Sequence, residues 1–305
     1  MYRYLNSAMP SNIVVRRIRG LINHLGKITD TALDRNPAGR NVTVLPGDVF
    51  IVSYPKSGNT WTRFLVGNLI YQDEPITFAN VESRLPSLYV HPDRKLRKLP
   101  RILKSHDCFD PRYRTVIYIV RDPRDVLVSA YHYAVKLGIL PEDWGVEKFV
   151  PALLDGSFES GVLVNPRWGS WHDNVASWLA MKDNRKFLLL RYEDMLVDPE
   201  RELVKVADFL GLEATPERLA RAVKLSSADH MRELEKTQAA EWSLTKNTRP
   251  DMAFVRKARA GTWKSELPPQ TVADIEAAWG PLMRTLRYEL SAAPPERDEL
   301  PVVLR

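Results

Sequence analysis

The sequence runs Val49-Phe50-Ile51-Val52, reaches Ser53-Tyr54-Pro55, passes through Lys56-Ser57-Gly58-Asn59, and enters a helical pattern over residues 60–71. A short apolar run closed by turn residues reads as a strand buried on both faces, so this segment is a strand–loop–helix unit. Three further runs read as strands, at 101–104, 115–120 and 186–190. Between them lie helical patterns at 123–137, 146–154 and 170–181, and beyond 190 the chain reads mainly helical, at 199–210, 216–225, 228–239 and 273–288. A polar, irregular stretch occupies 245–269. Strands that alternate with helices predict a parallel sheet covered by helices on both faces.

The loop after the first strand carries the chemistry. At the carboxyl end of a parallel strand, free backbone N–H groups and the following helix dipole converge on one point, which suits an anion. Gly58 lets the backbone approach an oxygen, Lys56 brings a point charge, and Ser57, Asn59 and Thr60 add donors. A plain turn with a helix cap would not need all five. The fold class is therefore α/β, a P-loop-like three-layer domain with a central parallel sheet flanked by helices. The loop still departs from G-x-x-x-x-G-K-[ST], because Pro55 precedes the lysine and Gly58 follows it. A magnesium-binding Asp should end the 115–120 strand of a kinase or ATPase, yet Arg121 stands there and Asp122 comes one residue late. A positive charge at that tip suits a second anion. A P-loop kinase is thus the main rival enzyme class, and a catalytically silent nucleotide-binding protein is the rival outside enzymes.

Composition sets the remaining bounds. With 305 residues, 44% hydrophobic and 27% charged, the chain has the usage of a globular protein large enough to bury a core, not of a disordered or collagen-like one. Its longest strongly apolar stretch, 64–71, is too short to cross a bilayer. The single Cys108 excludes an intrachain disulfide and any multi-cysteine metal site, and a cytoplasmic setting is expected. The net charge of +6 is concentrated: residues 1–29 hold five of the 44 basic residues and no acidic one, leaving 39 basic against 38 acidic. The body is close to neutral, which argues against nucleic acid as a partner. Val14, Ile18, Leu21, Leu25 and Ile28 form the apolar stripe of a basic amphipathic helix. Packing of that helix on the body, or peripheral membrane contact through residues 11–28, both stay open. The expected organisation is an N-terminal basic segment at 1–46, one domain at 47–290 and a tail at 291–305.

In six places, in one order, the chain resembles the PAPS-dependent sulfotransferases of the cytosolic type. Residues 54–61 resemble that family's 5′-phosphosulfate loop, and residues 120–129, with Arg121 and Ser129 eight apart, resemble its 3′-phosphate motif. Leu103-Lys104-Ser105-His106 resembles the segment bearing the catalytic base. Gly169-Ser170-Trp171 with Val175 and Trp178, Arg191-Tyr192-Glu193-Asp194-Met195, and the closing loop at 254–264 complete the series. The resemblance implies PAPS as sulfuryl donor, no required metal, and catalysis by His106 as general base, with Lys56 on the bridging oxygen and Lys104 assisting near the transferred sulfuryl group. It also implies a nucleotide site built from Lys56, Ser57, Gly58, Asn59, Thr60 and Trp61, with Arg121, Ser129, Tyr192, Arg256, Lys257 and Ala258. The sulfuryl group carries less charge than a γ-phosphoryl group, so lysines can take the place of magnesium.

Two departures bear on detail. Ala258 replaces the usual Gly of the closing loop, where a backbone contact to phosphate survives only at negative φ, and Thr262 stands where Asp is common. The family's short dimerisation motif is displaced, with Thr271-Val272 seven residues beyond Lys264. Arg124 is expected to make only salt bridges, Trp171 and Trp178 to pack, and Cys108 to be a small packed residue. By analogy the acceptor, a small molecule such as a phenol or alcohol, is expected against Phe78, Leu85, Tyr89, Phe149, Trp242 and Phe254.

Overall fold

The computed structural model describes residues 37–158, 160 and 163–291, so the amphipathic helix expected within 11–28 and the tail from 292 onward lie outside them. The strands are β1 Val49–Ser53, β2 Ile102–Ser105, β3 Thr115–Val120 and β4 Phe187–Arg191. They form one parallel sheet in the order β2-β1-β3-β4. The helices are α1 Asn59–Ile70, α2 Val81–Arg84, α3 Asp93–Leu96, α4 Pro123–Leu137, α5 Val146–Leu154 and α6 Trp171–Leu179. They continue with α7 Tyr192–Val197, α8 Pro199–Leu210, α9 Pro216–Leu225, α10 Ala228–Gln238, α11 Trp263–Glu266 and α12 Pro269–Thr285. Among the described residues no helix is long and apolar enough to cross a membrane.

Strand alternation divides the core in two. Phe50, Val52, Leu103, Val116, Tyr118 and Val120 face one layer, where α4, α5, α6 and α12 contribute Val126, Phe149, Trp178 and Ile275. Ile51, Ile117, Ile119 and Leu190 face the other, against α1, α8, α9 and α10. Successive side chains of a strand point to opposite faces, so runs that are apolar throughout require a layer on each side. The three-layer expectation is met for this reason.

The register aligns the carboxyl ends of the strands. Ile51 pairs with Lys104 and with Ile117, and Ile117 with Leu188. Lys56, His106, Arg121 and Tyr192 therefore leave the sheet at one rim. Trp171 and Trp178 are fully buried, as packing residues should be, and each also ties a rim loop down: their indole N–H groups donate to the carbonyls of Arg121 (3.2 Å) and Asp107 (2.9 Å). Helix α6 starts at a capping box, Ser170 with Asp173. Helix α12 begins at Pro269 instead of 273, because Pro at the first position presets the helical φ. Within 245–269 the irregular reading is interrupted by α11. Thr271 and Val272 are buried.

Candidate active site

A cavity of about 990 Å³ opens at the carboxyl rim of β1, β2 and β3, and no Asp or Glu is among the described residues that line it. Its floor is the loop between β1 and α1. Lys56 (φ 66°) and Gly58 (φ 98°) both take left-handed backbone conformations, which curl the chain around the start of α1. A Cβ on Gly58 would lie 2.5 Å from the Tyr192 ring, so both backbone angle and space demand glycine. The first amides of α1 have no intrahelical acceptor and face this loop. The Asn59 side chain is turned away, with Nδ2 donating to the Ile51 carbonyl (3.2 Å) and the Ser53 hydroxyl (3.3 Å). Its Oδ1 is buried without a hydrogen-bond partner among the described residues, so the donor that remains for an anion is its backbone N–H.

Lys56, Lys104 and His106 meet in this cavity. The Lys56 ammonium lies 3.9 Å from the centre of the Tyr133 ring and 4.8 Å from that of Phe254. Burial, then the charges of Arg121, Lys104, Arg256 and Lys136, bring its pKa down to about 7. Burial and the nearby Arg63 bring Lys104 down to about 8. His106 places Nδ1 2.7 Å from the Ser53 carbonyl oxygen. A carbonyl only accepts, so Nδ1 carries the proton and Nε2 keeps its lone pair. Burial, with Lys104 next, holds the imidazole pKa well below the usual value, so the ring is neutral. The His106 backbone N–H donates to the Tyr89 hydroxyl (2.7 Å), and the two rings stack with centres 5.8 Å apart. Cys108 is inert packing: its thiol donates to the Trp168 carbonyl and burial raises its pKa.

The cavity lining continues around Arg121. Its guanidinium donates to the carbonyls of Lys56 (3.1 Å) and Arg259 (3.2 Å) and lies over Tyr192. Its Nε and the Ser57 hydroxyl are buried with no hydrogen-bond partner among the described residues. Buried donors left in that state are costly, and a phosphate would satisfy them. Ser129 lines the same side, and Trp61 and Tyr192 meet edge to face at 5.5 Å, with the Trp61 indole held on the Ser226 carbonyl. Arg124 is bound to Asp122 and Glu276 and takes no part in the lining.

The closing loop is fixed at two places that the sequence did not reveal. Glu235 accepts from the amides of Phe254 (2.5 Å) and Val255 (3.0 Å). Asp125, fully buried, accepts from the Gly261 amide (2.6 Å), the Thr262 hydroxyl (2.9 Å) and the Trp263 amide (3.0 Å). Between these anchors Ala258 has φ 49°. The glycine-like geometry is thus kept despite the side chain, at a cost of about 1 kcal/mol, and the negative φ on which a backbone contact from Ala258 to phosphate depended is not adopted. Arg256 and Lys257 both line the cavity but point their charges at Glu266, whose oxygens lie 2.9 and 3.1 Å from Arg256 Nη1 and 2.9 Å from Lys257 Nζ. His132 Nε2 is 2.6 Å from the same carboxylate. Burial works against the Glu266 charge, but bonds from Lys257, Arg256 and His132 outweigh it and bring its pKa down to about 2.

The acceptor side requires correction. Of the six expected wall residues only Tyr89 and Phe254 line the cavity. Phe78, Leu85 and Trp242 are fully buried in one core layer and Phe149 in the other, where Phe78 packs 5.0 Å from Phe64 and 4.9 Å from Trp242. Aromatic character marks core and pocket wall alike, so residue type alone could not separate them. The wall is completed instead by Tyr133, Leu137, Leu163, Asn165, Arg167 and Trp168, the last lying 5.5 Å edge-on to both His106 and Tyr89. The run at 163–168 has neither helical nor strand periodicity and left no signal in the sequence.

These features define an α/β group-transfer enzyme with an anion cradle, two lysines and a neutral histidine at one rim. A model of the sulfotransferase domain matches residues 46–287. The chain belongs to the sulfotransferase family. It is similar to a 3-beta-hydroxysteroid sulfotransferase of Cavia porcellus, with 31% identity over 243 residues, 75% of this chain and 80% of that protein. It is similar also to sulfotransferase 1C2 of Homo sapiens, with 30% identity over 249 residues, 76% of this chain and 80% of that one. In structure it resembles a mouse sulfotransferase complexed with PAP, at a TM-score of 0.66 and 23% identity, covering 84% of this chain and 90% of that one. A retinol dehydratase in complex with androsterone and PAP gives 0.66 at 20% identity, covering 84% of each chain.

Proposed function

We propose that this sulfotransferase moves the sulfuryl group of PAPS to a hydroxyl of a small, partly apolar acceptor, with His106 as general base. PAPS supplies an activated sulfuryl group on a phosphate leaving group. The buried, unpartnered Ser57 hydroxyl and Arg121 Nε fit a phosphate-bearing ligand, as does the space that Gly58 alone keeps open. Lys56, Ser57 and the amides at 58–60 would hold the 5′ end. Arg121 and Ser129, with Arg256 and Lys257, would hold the 3′-phosphate, while Trp61 and Tyr192 would hold the base.

The observation that carries the reading is the bond from His106 Nδ1 to the Ser53 carbonyl, which leaves Nε2 free to accept the hydroxyl proton beside two lysines. The acceptor oxygen forms a bond to sulfur, the sulfur–oxygen bond to phosphate breaks, and the proton goes to Nε2. Charge grows on the leaving oxygen as that bond breaks, and Lys56 and Lys104 stabilise it from fixed positions. A polyanion bound beside His106 offsets the influence of Lys104 and raises the imidazole pKa toward a value useful for proton transfer. His106→Ala should lower turnover by about 10²- to 10⁴-fold while PAP still binds. Turnover of ATP with strict magnesium dependence would instead indicate a kinase.

A further inference from the structure

Once the nucleotide site is assigned, two charged side chains of the cavity lining have no role, Arg259 on the closing loop and Arg167. Lys56, Lys104, Arg121, Arg256 and Lys257 serve the donor side. Arg167 stands across from them, in the acceptor wall between Asn165 and Trp168. Its guanidinium carbon lies 5.8 Å from the centre of the Tyr89 ring, which also stacks with His106 at 5.8 Å between ring centres. Arg167 and the base thus both pack on the Tyr89 ring, in a wall that also holds Val90, Tyr133, Leu137, Leu163, Asn165 and Trp168.

The Arg167 fork is only partly engaged. Nε lies 3.4 Å from the Asn165 side-chain oxygen and 3.9 Å from the Asp107 carboxylate, an ion pair too long for a hydrogen bond. Neither terminal amino group has a hydrogen-bond or ion-pair partner among the described residues, and one of them lies so close to Gly39 that a Cβ there would come within 2.2 Å. Asp107, buried with no hydrogen bond to either carboxylate oxygen among the described residues, takes a counter-charge from this guanidinium without bonding its terminal amino groups. The Arg167 side chain is 38% exposed and opens to the cavity. Terminal donors left without hydrogen bonds, at a cavity with no acidic residue among the described residues that line it, suit a planar anion.

We infer, resting on the proposed function, that the acceptor is itself an anion: a hydroxy acid whose hydroxyl faces His106 and whose carboxylate, at the other end of an apolar body, is bound by Arg167. A cationic or neutral acceptor would leave the terminal amino groups of this guanidinium without a hydrogen-bond partner among the described residues.

The test uses the full chain with PAPS and a ladder of para-hydroxyphenyl carboxylic acids of increasing chain length, each beside its primary amide. At the matching length the acid should exceed its amide in kcat/KM by about tenfold or more, mainly through KM, since a contact to the far end of the acceptor is made equally in ground and transition states. Arg167→Gln should bring that acid down to the level of its amide, and Arg167→Lys should restore part of the difference. PAP affinity and melting temperature, measured on both variants, should stay at the parent values. In a small-metabolite extract treated with the parent enzyme, mass spectrometry should find sulfated products that carry a carboxylate besides the new sulfate. Acids no better than amides at every length, a preference that survives Arg167→Gln, or sulfated products that are all otherwise neutral would overturn the inference and leave sulfuryl transfer standing. No PAP release with any acceptor would overturn the proposed function, and this inference with it.

Discussion

Binding of PAP should take up protons from solution, and the amount follows from two lysines. With pKa values of about 7 for Lys56 and about 8 for Lys104, both are partly neutral in the free protein near physiological pH. A nucleotide polyphosphate seated beside them favours the charged form and returns both toward the ordinary lysine range. At pH 8 Lys56 is then about one-tenth protonated before binding and Lys104 about one-half, so the complex gains about 1.4 protons. At pH 7 the gain falls to about 0.6. The nucleotide phosphates, with a second pKa of about 6, are already ionised at pH 8 and contribute little there. Because binding raises these pKa values, the sign is fixed: affinity is greatest at low pH and falls as pH rises through 7 and 8, with a slope near pH 8 of about −1.4 in log K per pH unit. Calorimetric titration with PAP in buffers of different ionisation enthalpy reads the uptake directly. In Lys56→Met it should drop to about 0.5 at pH 8, the share of Lys104 alone. Heats independent of buffer at pH 8, or proton release, would refute the account of these lysines.

Three further outcomes can be checked on single variants. Glu266→Gln frees Arg256 and Lys257 from a carboxylate that competes with phosphate, and because these side chains are part-exposed the gain is modest, about 1 kcal/mol or roughly fivefold tighter PAP binding by titration; weaker binding would mean that Glu266 instead holds the loop in its working position. Gly58→Ala forces a Cβ at φ 98° against Tyr192 and should weaken PAP by roughly tenfold or more, read as a loss of the nucleotide-induced rise in melting temperature. Arg63→Met removes a fully buried guanidinium that donates to Glu82 and to the carbonyls of Val81 and Leu85; it should cost about 3–5 kcal/mol in denaturant unfolding, part of which Glu82→Gln in the same chain recovers.

The donor half of the site was legible because its residues sit next to strand ends, where local sequence dictates local geometry. Lys56, Gly58, His106, Arg121 and Tyr192 each follow a strand by three or five residues at most, and the strands announce themselves by continuous apolar runs. The acceptor half was legible only at Tyr89 and Phe254, and the rest was not, for a different reason. Tyr89, Tyr133 and Arg167 come together only through tertiary packing, and Phe78 and Trp242 have the same aromatic character while lying inside a core layer. The anchors of the closing loop were hidden by distance along the chain: Asp125 holds residues more than 130 positions away, and nothing in its own neighbourhood announces that partner.

Those anchors also decide how the loop can move. A beam clamped at both ends bows at midspan but does not swing, and the stretch between Val255 and Gly261 is such a beam. Only residues 256–260 lie between the clamps, with the Arg256 carbonyl held by Arg232 (2.8 Å) and the Arg259 carbonyl by Arg121 (3.2 Å), so on the proposed function nucleotide exchange would flex this short arch while Asp125 and Glu235 keep its feet in place. Lengthening the arch by insertion would therefore speed PAP release without loosening the floor beneath it, because the cradle around Gly58 belongs to the sheet rim and not to the loop.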